Sequence, residues 1–463
     1  MRNDTGYSCH TRKYLRQLLI ERDAEIERLK SDNLFLEYEL KQLRSKWFSN
    51  KKKRLDEKSD EPAKKPKKLG APVGHTGCYR AVPEHVDVIE DVVLDTCPQC
   101  GNTDISECSE IEEHVQEDII LPAVKVTKYR KHHFWCGKCK KVISGKGIDE
   151  IPNSYIGPQA KAVAAFLKYD IKISNRDIQK LFKELCGLQV VPSSIPGFNN
   201  QVRKKCMPLY EELLKEIKKA PYIHADETGC PVNGKNWWDW IFVTSKICLH
   251  VIHESRGQKV VEQILGKKYG GILLSDFLSA YNKLDAKAKQ RCLVHLLRDL
   301  KKILACTPQE DPAYTYCQRL KDILQYAIAA SEKYNENNIS ARQFSKQKKY
   351  VHASMGDLQF PAAQKNSIVR IAKRLARHKN ELFTFLDYKG LPYHNNYAER
   401  MIRPSVLLRK ITFGHRSENG IRNHSVLQSI LQTGKLNAKE PIPLLKTIIT
   451  GRNRPSSKMC LGP

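Results

Sequence analysis

PYIHADETG, residues 221–229, reads as a short β-strand, Tyr222 to Ala225, that runs straight into an acid, Asp226. Working outward, Trp238 to Thr244 and Ile247 to Ile252 carry the same β-branched and aromatic enrichment, and residues from about Gln258 to Leu265 have helical spacing. GGILLSDFLSAY at 270–281 then repeats the opening pattern, with a strand from Gly271 to Ser275 delivering a second acid, Asp276. Three sequential strands, a helix and a fourth strand predict an α/β domain in which the first and fourth strands lie side by side, as in a ribonuclease-H-like core. Neighbouring strand ends would bring Asp226 and Asp276 together.

A third acid, Glu399 in PYHNNYAERMIRP (392–404), follows Asp276 after 122 intervening residues, in a helix-type stretch. Crowded carboxylates repel, and unpaired they protonate or destabilise a fold, so three converging acids call for cations. Two divalent ions about 3.5–4 Å apart are what phosphoryl transfer uses to activate one oxygen and stabilise another. The expectation is two Mg²⁺ or Mn²⁺ per active site, Asp226 bridging them, with Asp276 on one and Glu399 on the other. Asn395 or Asn396 would cap the helix and set Glu399 in its first turn, and Pro404 would kink or end that first segment. Taken singly, an acid at a strand end is usually a cap or a solvated surface group, and it is the joint context of the three that overturns this reading.

The balance of 79 Lys+Arg against 51 Asp+Glu leaves a charge of +28 on 463 residues. Such a charge favours polyanions through phosphate contacts and counterion release, which makes double-stranded DNA the leading partner class. No apolar run approaches the 18 or more residues that span a bilayer, and MRNDTGYSCHTRKYL at the start lacks the apolar segment of a signal peptide, so the expected setting is cytoplasmic and nucleoid-associated, with no membrane partner.

From residue 15 to 47, Leu15, Leu19, Arg22, Ile26, Leu29, Asn33, Leu36, Leu40, Leu43 and Trp47 recur in alternating steps of four and three. This spacing predicts a coiled coil, with Asn33 at an a position favouring a parallel homodimer; the other reading is an amphipathic helix on its own chain. KKKRLDEKSDEPAKKPKKLG at 51–70 is a basic linker, either DNA-attracting or merely solvating. Cys97 and Cys100, then Cys136 and Cys139, form two CxxC knuckles suited to a tetrahedral structural Zn²⁺, against a redox pair or unligated thiols. Residues 157–218 predict three helices: one opening at Gly157-Pro158, one capped by Ser174 with Asp177, and one starting at Ser193 or Ser194. Arg203, Lys204 and Lys205 on the third suit a helix-turn-helix DNA reader or the surface of an ordinary helical bundle.

Arg400, Arg403, Arg409, Lys410 and Arg416 form a basic run around Glu399, fit for phosphate contacts or for a solvated face. Cys292-Leu-Val-His295, just past the second acid, is half a zinc site or a packed polar pair. From about Leu296 to Tyr388 the chain reads as helical, an insertion before the helix of Glu399.

HADET (224–228), LLSDFLSAY (273–281), CLVHLLRDL (292–300), NNYAERMIRPSVLLRKITFG (395–414) and SILQTGKLN (429–437) together resemble the DDE transposases of the insertion-sequence 66 family. The similarity extends to the N-terminal coil, to GAPVGHTG at 70–77 and to the CPQC and CGKC knuckles. It implies that Asp226, Asp276 and Glu399 are the catalytic triad, that Cys292 and His295 are the Cys-x2-His element after the second acid, and that the zinc and three-helix regions bind element ends, with accessory transposition proteins as possible partners. The organisation expected is a coiled coil at 12–48, a basic linker at 49–75, a zinc-binding module at 76–150 and a helical DNA-binding domain at 151–220. A catalytic core at 221–295 and 391–435 follows, interrupted by an α-helical insertion at 296–390 and ending in a tail at 436–463. The implied activity is metal-dependent strand cleavage and strand transfer; the rival is a non-catalytic DNA-binding regulator descended from such an enzyme.

Overall fold

A computed structural model describes residues 151–360 and 366–451 continuously, most of 124–150, scattered positions between 14 and 40, and 460–461. The described positions between 14 and 40 are helical, and Leu19, Ile26 and Leu36 on them are 63%, 47% and 61% exposed. β1 (His133–Cys136) and β2 (Lys141–Ser144) pair antiparallel, with Cys136 the last residue of β1. Cys97, Cys100 and Cys139 lie outside the described residues, as does the basic linker.

Five strands make the central mixed sheet: β3 (Tyr222–Gly229), β4 (Trp238–Val243), β5 (Cys248–His253), β6 (Lys268–Ser275) and β7 (Asp285–Arg291), in the order β5-β4-β3-β6-β7. β3, β4 and β5 are antiparallel neighbours, whereas β3–β6 and β6–β7 run parallel. The crossover from β5 to β6 uses the helix α4 (Gln258–Leu265), as the sequence pattern expects. β7 was not expected. Its sequence, DAKAKQR, lacks β-branched and aromatic residues, and its place at the sheet edge asks for little burial over the first four positions.

Helices cover both faces. α1 (Pro158–Phe166), a π-helical turn at Leu167–Ile171, α2 (Asn175–Cys186) and α3 (Ser194–Glu216) precede the sheet. Ser174 caps α2 by accepting from the Asp177 N–H, and Gly187 ends it in the left-handed region at φ 68°. Ile178, Phe182, Ile195 and Phe198 join these helices in a small core, while Val202, Leu209 and Leu213 of α3 enter the main one with Trp240, Phe242 and Leu249. Beyond the sheet come α5 (Leu293–Cys306), α6 (Pro312–Asn335), α7 (Ala341–Gly356) and α8 (Asn366–His378), whose core takes in Ile272 and Leu274 of β6. α9 (Asn396–Thr412), α10 (Glu418–Leu436) and α11 (Pro441–Thr450) complete the fold. α9 continues through Pro404 rather than stopping there. The stretch expected to be a tail holds α11, whose Leu445 and Ile448 are fully buried in the main core, and Gly434 admits its approach, since a Cβ there would stand 2.8 Å from Leu444.

α10 also closes the edge strand β5. Ser425, Ser429 and Thr433 lie four residues apart, and their hydroxyls accept hydrogen bonds from the backbone N–H groups of Ile252, His250 and Cys248 at 3.1, 2.8 and 3.1 Å. Four helical residues rise about 6 Å and two strand residues about 6.6 Å, so the two periodicities match over this distance. An edge that would otherwise offer free N–H groups to another chain is thereby satisfied internally.

Beneath this layer lies a polar network whose Asp239, His250, Ser405 and His424 are buried and whose His415 is half-buried. Asp239 of β4 accepts from His250 Nδ1 at 3.1 Å and from Ser405 Oγ at 2.5 Å; His424 Nε2 stands 3.0 Å from Ser405 Oγ and His415 Nε2 stands 2.9 Å from His424 Nδ1. Because Ser405 donates to the carboxylate, it accepts from His424, which in turn accepts from His415. Burial works against a charge on His250, but Asp239 outweighs it and holds the imidazolium above its usual range. Burial pushes His424 down to about 3 and His415 to about 4. Both are therefore neutral in the fold and protonate on unfolding below their ordinary value, so their stability contribution is complete above about pH 6.5 and lost as pH falls toward 4. Two such protons correspond to about 2.7 kcal/mol per pH unit. Urea unfolding at pH 7 and pH 5.5 should show the parent losing stability more steeply with acid than His424→Gln, which lacks one of these protons; parallel profiles would contradict the assignment.

Candidate active site

Strand register sets the first acid. Asp226 pairs with Ile241 and His224 with Val243 across β3 and β4, and directly opposed residues share a face. Ile241 and Val243 pack against Ala398 and Ile402, so Asp226 lies on the side of the sheet covered by α9, the helix that carries Glu399 in its first turn. The parallel register of β3 with β6 sets His224 opposite Leu274, and Asp226 and Asp276 each follow two residues later. Burial pushes the Asp226 carboxyl up to about 8, with the neighbouring charges of Glu227, Asp276 and Glu399 adding to it and the Glu227 N–H pulling it back. Asp276 and Glu399, the other two acids singled out in the sequence, are thus both near enough to act on Asp226.

Four hydrogen bonds tie the acid-bearing segments together. Asn395, 1% exposed, donates its side-chain amide to the carbonyl of Ala225 at 2.7 Å, and its backbone N–H points to Cys292 Sγ at 3.2 Å. Cys292 N–H donates to the carbonyl of Ser275 at 2.9 Å, and Leu293 N–H to that of Tyr393 at 2.9 Å. The residues preceding both aspartates are in this way joined to the start of the glutamate's helix. Asn395 stands at the N-cap, but its side chain caps nothing and instead bridges to β3. Cys292 and His295, whose partner the sequence left open, meet Glu399: one ligand atom from each lies within 4.8 Å of the others, and His295 Nε2 is 3.5 Å from Glu399 Oε1.

Three further residues complete the surroundings. Arg291, fully buried at the end of β7, donates to Ser275 Oγ at 3.1 Å, to the Asp276 carbonyl at 2.8 Å, to Asn282 Oδ1 at 2.9 Å and to Glu381 Oε2 at 2.6 Å. Burial opposes the Glu381 charge, but His378 and Arg291 overcome it and hold that carboxyl at about 2. Glu227 faces the other side of the sheet, where Arg256 Nη2 and Tyr281 Oη each donate to it at 2.8 Å. No signal in the sequence marks Arg291 or Glu227, and Asn395, expected as a helix cap, gave no sign of its reach to β3, because the partners are far along the chain.

The donor set suits hard cations. Oδ1 of Asp226 takes the Glu227 N–H at 3.0 Å and Oδ1 of Asp276 the Leu278 N–H at 2.9 Å, which leaves the second oxygen of each carboxylate for another partner. Glu399 Oε1 is buried and accepts no hydrogen bond among the described residues. Oxygen donors in this state fit Mg²⁺ or Mn²⁺.

The basic residues divide. Lys204, Lys205, Arg400, Arg403, Lys410 and Arg416 are exposed. Arg203 instead turns inward to donate to Asn423 Oδ1 at 3.0 Å, and Arg409 is half-buried with Nη1 3.3 Å from Thr228 Oγ1. Among the described residues no helix is long and apolar enough to cross a membrane.

Residues 153–423, more than half of the chain, match a family model described as the transposase IS66 family. The uncharacterized protein y4qI of Sinorhizobium fredii is 24% identical over 299 residues, covering 57% of this chain and 54% of its own length. A second uncharacterized protein of that organism, y4jD, is 22% identical over 271 residues, covering 52% of each. The chain spans about half the length of these curated relatives.

Proposed function

Since the chain belongs to the IS66 family of transposases, we propose that it cuts and joins DNA at the ends of a mobile element through Asp226, Asp276 and Glu399. The strand order and the mixed pairing of the sheet support reading residues 221–295 and 391–435 as a ribonuclease-H-like core with the helices of 296–390 inserted. The observation that carries the proposal is the register and hydrogen bonding that join the segments of Asp226, Asp276 and Glu399, with Asp276 and Glu399 near enough to add to the burial that raises Asp226. Two Mg²⁺ or Mn²⁺ ions held there would supply activation of the attacking oxygen and stabilisation of the leaving one. The protein's own part is to hold the three carboxylates rigidly and to keep Asp226 deprotonated only when positive charge is near. Asn395 and Cys292 fix the backbone beside each acid, and His295 orients the Glu399 carboxylate.

DNA is the partner this reading requires, with exposed Lys204, Lys205, Arg400, Arg403, Lys410 and Arg416 as phosphate contacts. Exposed Leu19, Ile26 and Leu36 suit a seam for a second copy, and Cys97, Cys100, Cys136 and Cys139 suit one structural Zn²⁺. Incubating the full chain, Mg²⁺, DNA carrying the element's terminal repeats and a target plasmid should yield plasmid joined to repeat ends. Binding without cleavage would instead identify a regulator, and cleavage without joining a nuclease.

A further inference from the structure

A second recess lies apart from the carboxylates. A cleft of about 730 Å³ opens between the π-helical turn, the starts of α2 and α3, the end of α9 and the start of α10. Lys168, Arg176 and Arg416 line it, and none of its lining residues is acidic. The N-termini of α2 and α10 border it, and the first-turn N–H groups there that Ser174 and Ser417 do not cap favour an anion. Burial lowers Lys168 to about 8, although Asp177 opposes the shift; an anion in the cleft would restore its charge.

Its walls also carry hydrogen-bonding groups without partners. Asn199 is 2% exposed, and its Oδ1, like those of Asn175 and Asn200, is buried and makes no hydrogen bond among the described residues. An orphaned buried amide is costly, and a ligand that pairs with it recovers the loss. Beside the cleft, between the lining residues Thr412 and Gly414, Phe413 is 88% exposed with φ 56°, a backbone conformation a bulky side chain rarely takes. The turn that holds it is fixed: His415 N–H donates to the Pro231 carbonyl at 2.9 Å, Asn233 N–H donates to the His415 carbonyl at 2.7 Å, and a Cβ on Gly414 would stand 2.5 Å from the Pro231 oxygen. A rigidly presented, solvent-facing aromatic next to a cationic, amide-lined recess suits stacking on a base whose phosphate sits among the cations.

We propose that this cleft takes an unpaired nucleotide of the DNA being processed, with Phe413 stacking at the opening, the Asn199 and Asn200 amides meeting the base edge and Lys168, Arg176 and Arg416 meeting the phosphate. The proposal deepens the DNA-processing reading above and rests on it for the choice of ligand. Position gives it a register. From Glu399 to Ile411 is 12 residues of α9, about 18 Å at 1.5 Å per residue, or roughly five nucleotides at 3.4 Å each.

The test uses the full chain bearing Asp226→Asn, without metal, and a short duplex in two versions, fully paired or with one unpaired thymine roughly five steps from the end that is cut. The unpaired version should bind about tenfold more tightly, as expected for one stacked base. Phe413→Ala, at an exposed position whose loss leaves the core intact, should reduce that preference to about twofold or less, and Arg176→Ala with Arg416→Ala should weaken both versions. Equal binding of the two duplexes, or a preference that survives Phe413→Ala, overturns the proposal. Because binding is read without cleavage, failure of the wild-type chain to cut DNA would sink the catalytic reading and leave this result standing, and the converse holds.

Discussion

Asp226→Asn, Asp276→Asn and Glu399→Gln should each lower Mg²⁺-dependent DNA cleavage by about 10³-fold or more. A carboxylate that helps hold a cation at the reacting phosphate contributes several kcal/mol of charge stabilisation, and each 1.36 kcal/mol is a decade in rate. The amides keep the shape of the acids, so binding to the DNA ends should change little. Asp226→Asn carries a second expectation, because burial and then acidic neighbours lift the Asp226 carboxyl to about 8. Raised in this way, the ionised form destabilises the metal-free fold as pH rises from the ordinary carboxylate range through 8. The amide removes that penalty, so the variant should be no less stable than the parent at pH 8. Single-turnover cleavage and urea unfolding of each variant check both points, and a variant that still cuts at the parental rate shows that its acid has been misassigned.

The largest effect on stability belongs elsewhere. Asp239→Ala should cost about 3–5 kcal/mol, the range for breaking one side of a buried charged pair. Asp239 is fully buried and satisfies His250 Nδ1 and Ser405 Oγ at once, with His424 held through Ser405. Removing it strands a histidine and a hydroxyl among β4, β5, α9 and α10. Asp239→Asn, which retains an acceptor, should lose less. Denaturant unfolding of the two variants at pH 7 measures this, and a cost below about 1 kcal/mol for the alanine would show that the network is not a load on the fold.

What could be read from residues alone follows from where the information sits. β3, β4, β5 and α4 carry strong local patterns, and their extents agree with the sequence to within a few residues: Gln258–Leu265 is the same span in both. β7 escaped because Asp285-Ala-Lys-Ala-Lys-Gln-Arg looks like a solvated segment, and its strand character comes from pairing with β6. α11 lies in the stretch expected to be a tail, and what makes it part of the fold is burial of Leu445 and Ile448 against residues distant in the chain. Asp226, Asp276 and Glu399 stood out because each sits in a recognisable local setting. Their supporting contacts did not: Asn395, expected only as a cap, reaches Ala225 across 170 positions and Arg291 reaches Glu381 across 90, and no local rule connects such pairs. Arg203 shows the opposite error of emphasis, since a basic run on a helix does not say which member turns inward to Asn423.

The central claim is that the three carboxylates share cations. Crystals of the full chain soaked in Mn²⁺ and measured at the manganese absorption edge decide it. Two anomalous peaks about 3.5–4 Å apart, ligated by Asp226, Asp276 and Glu399, are the expected result. Peaks confined to other donors, or carboxylates too far apart to share an ion, would contradict it.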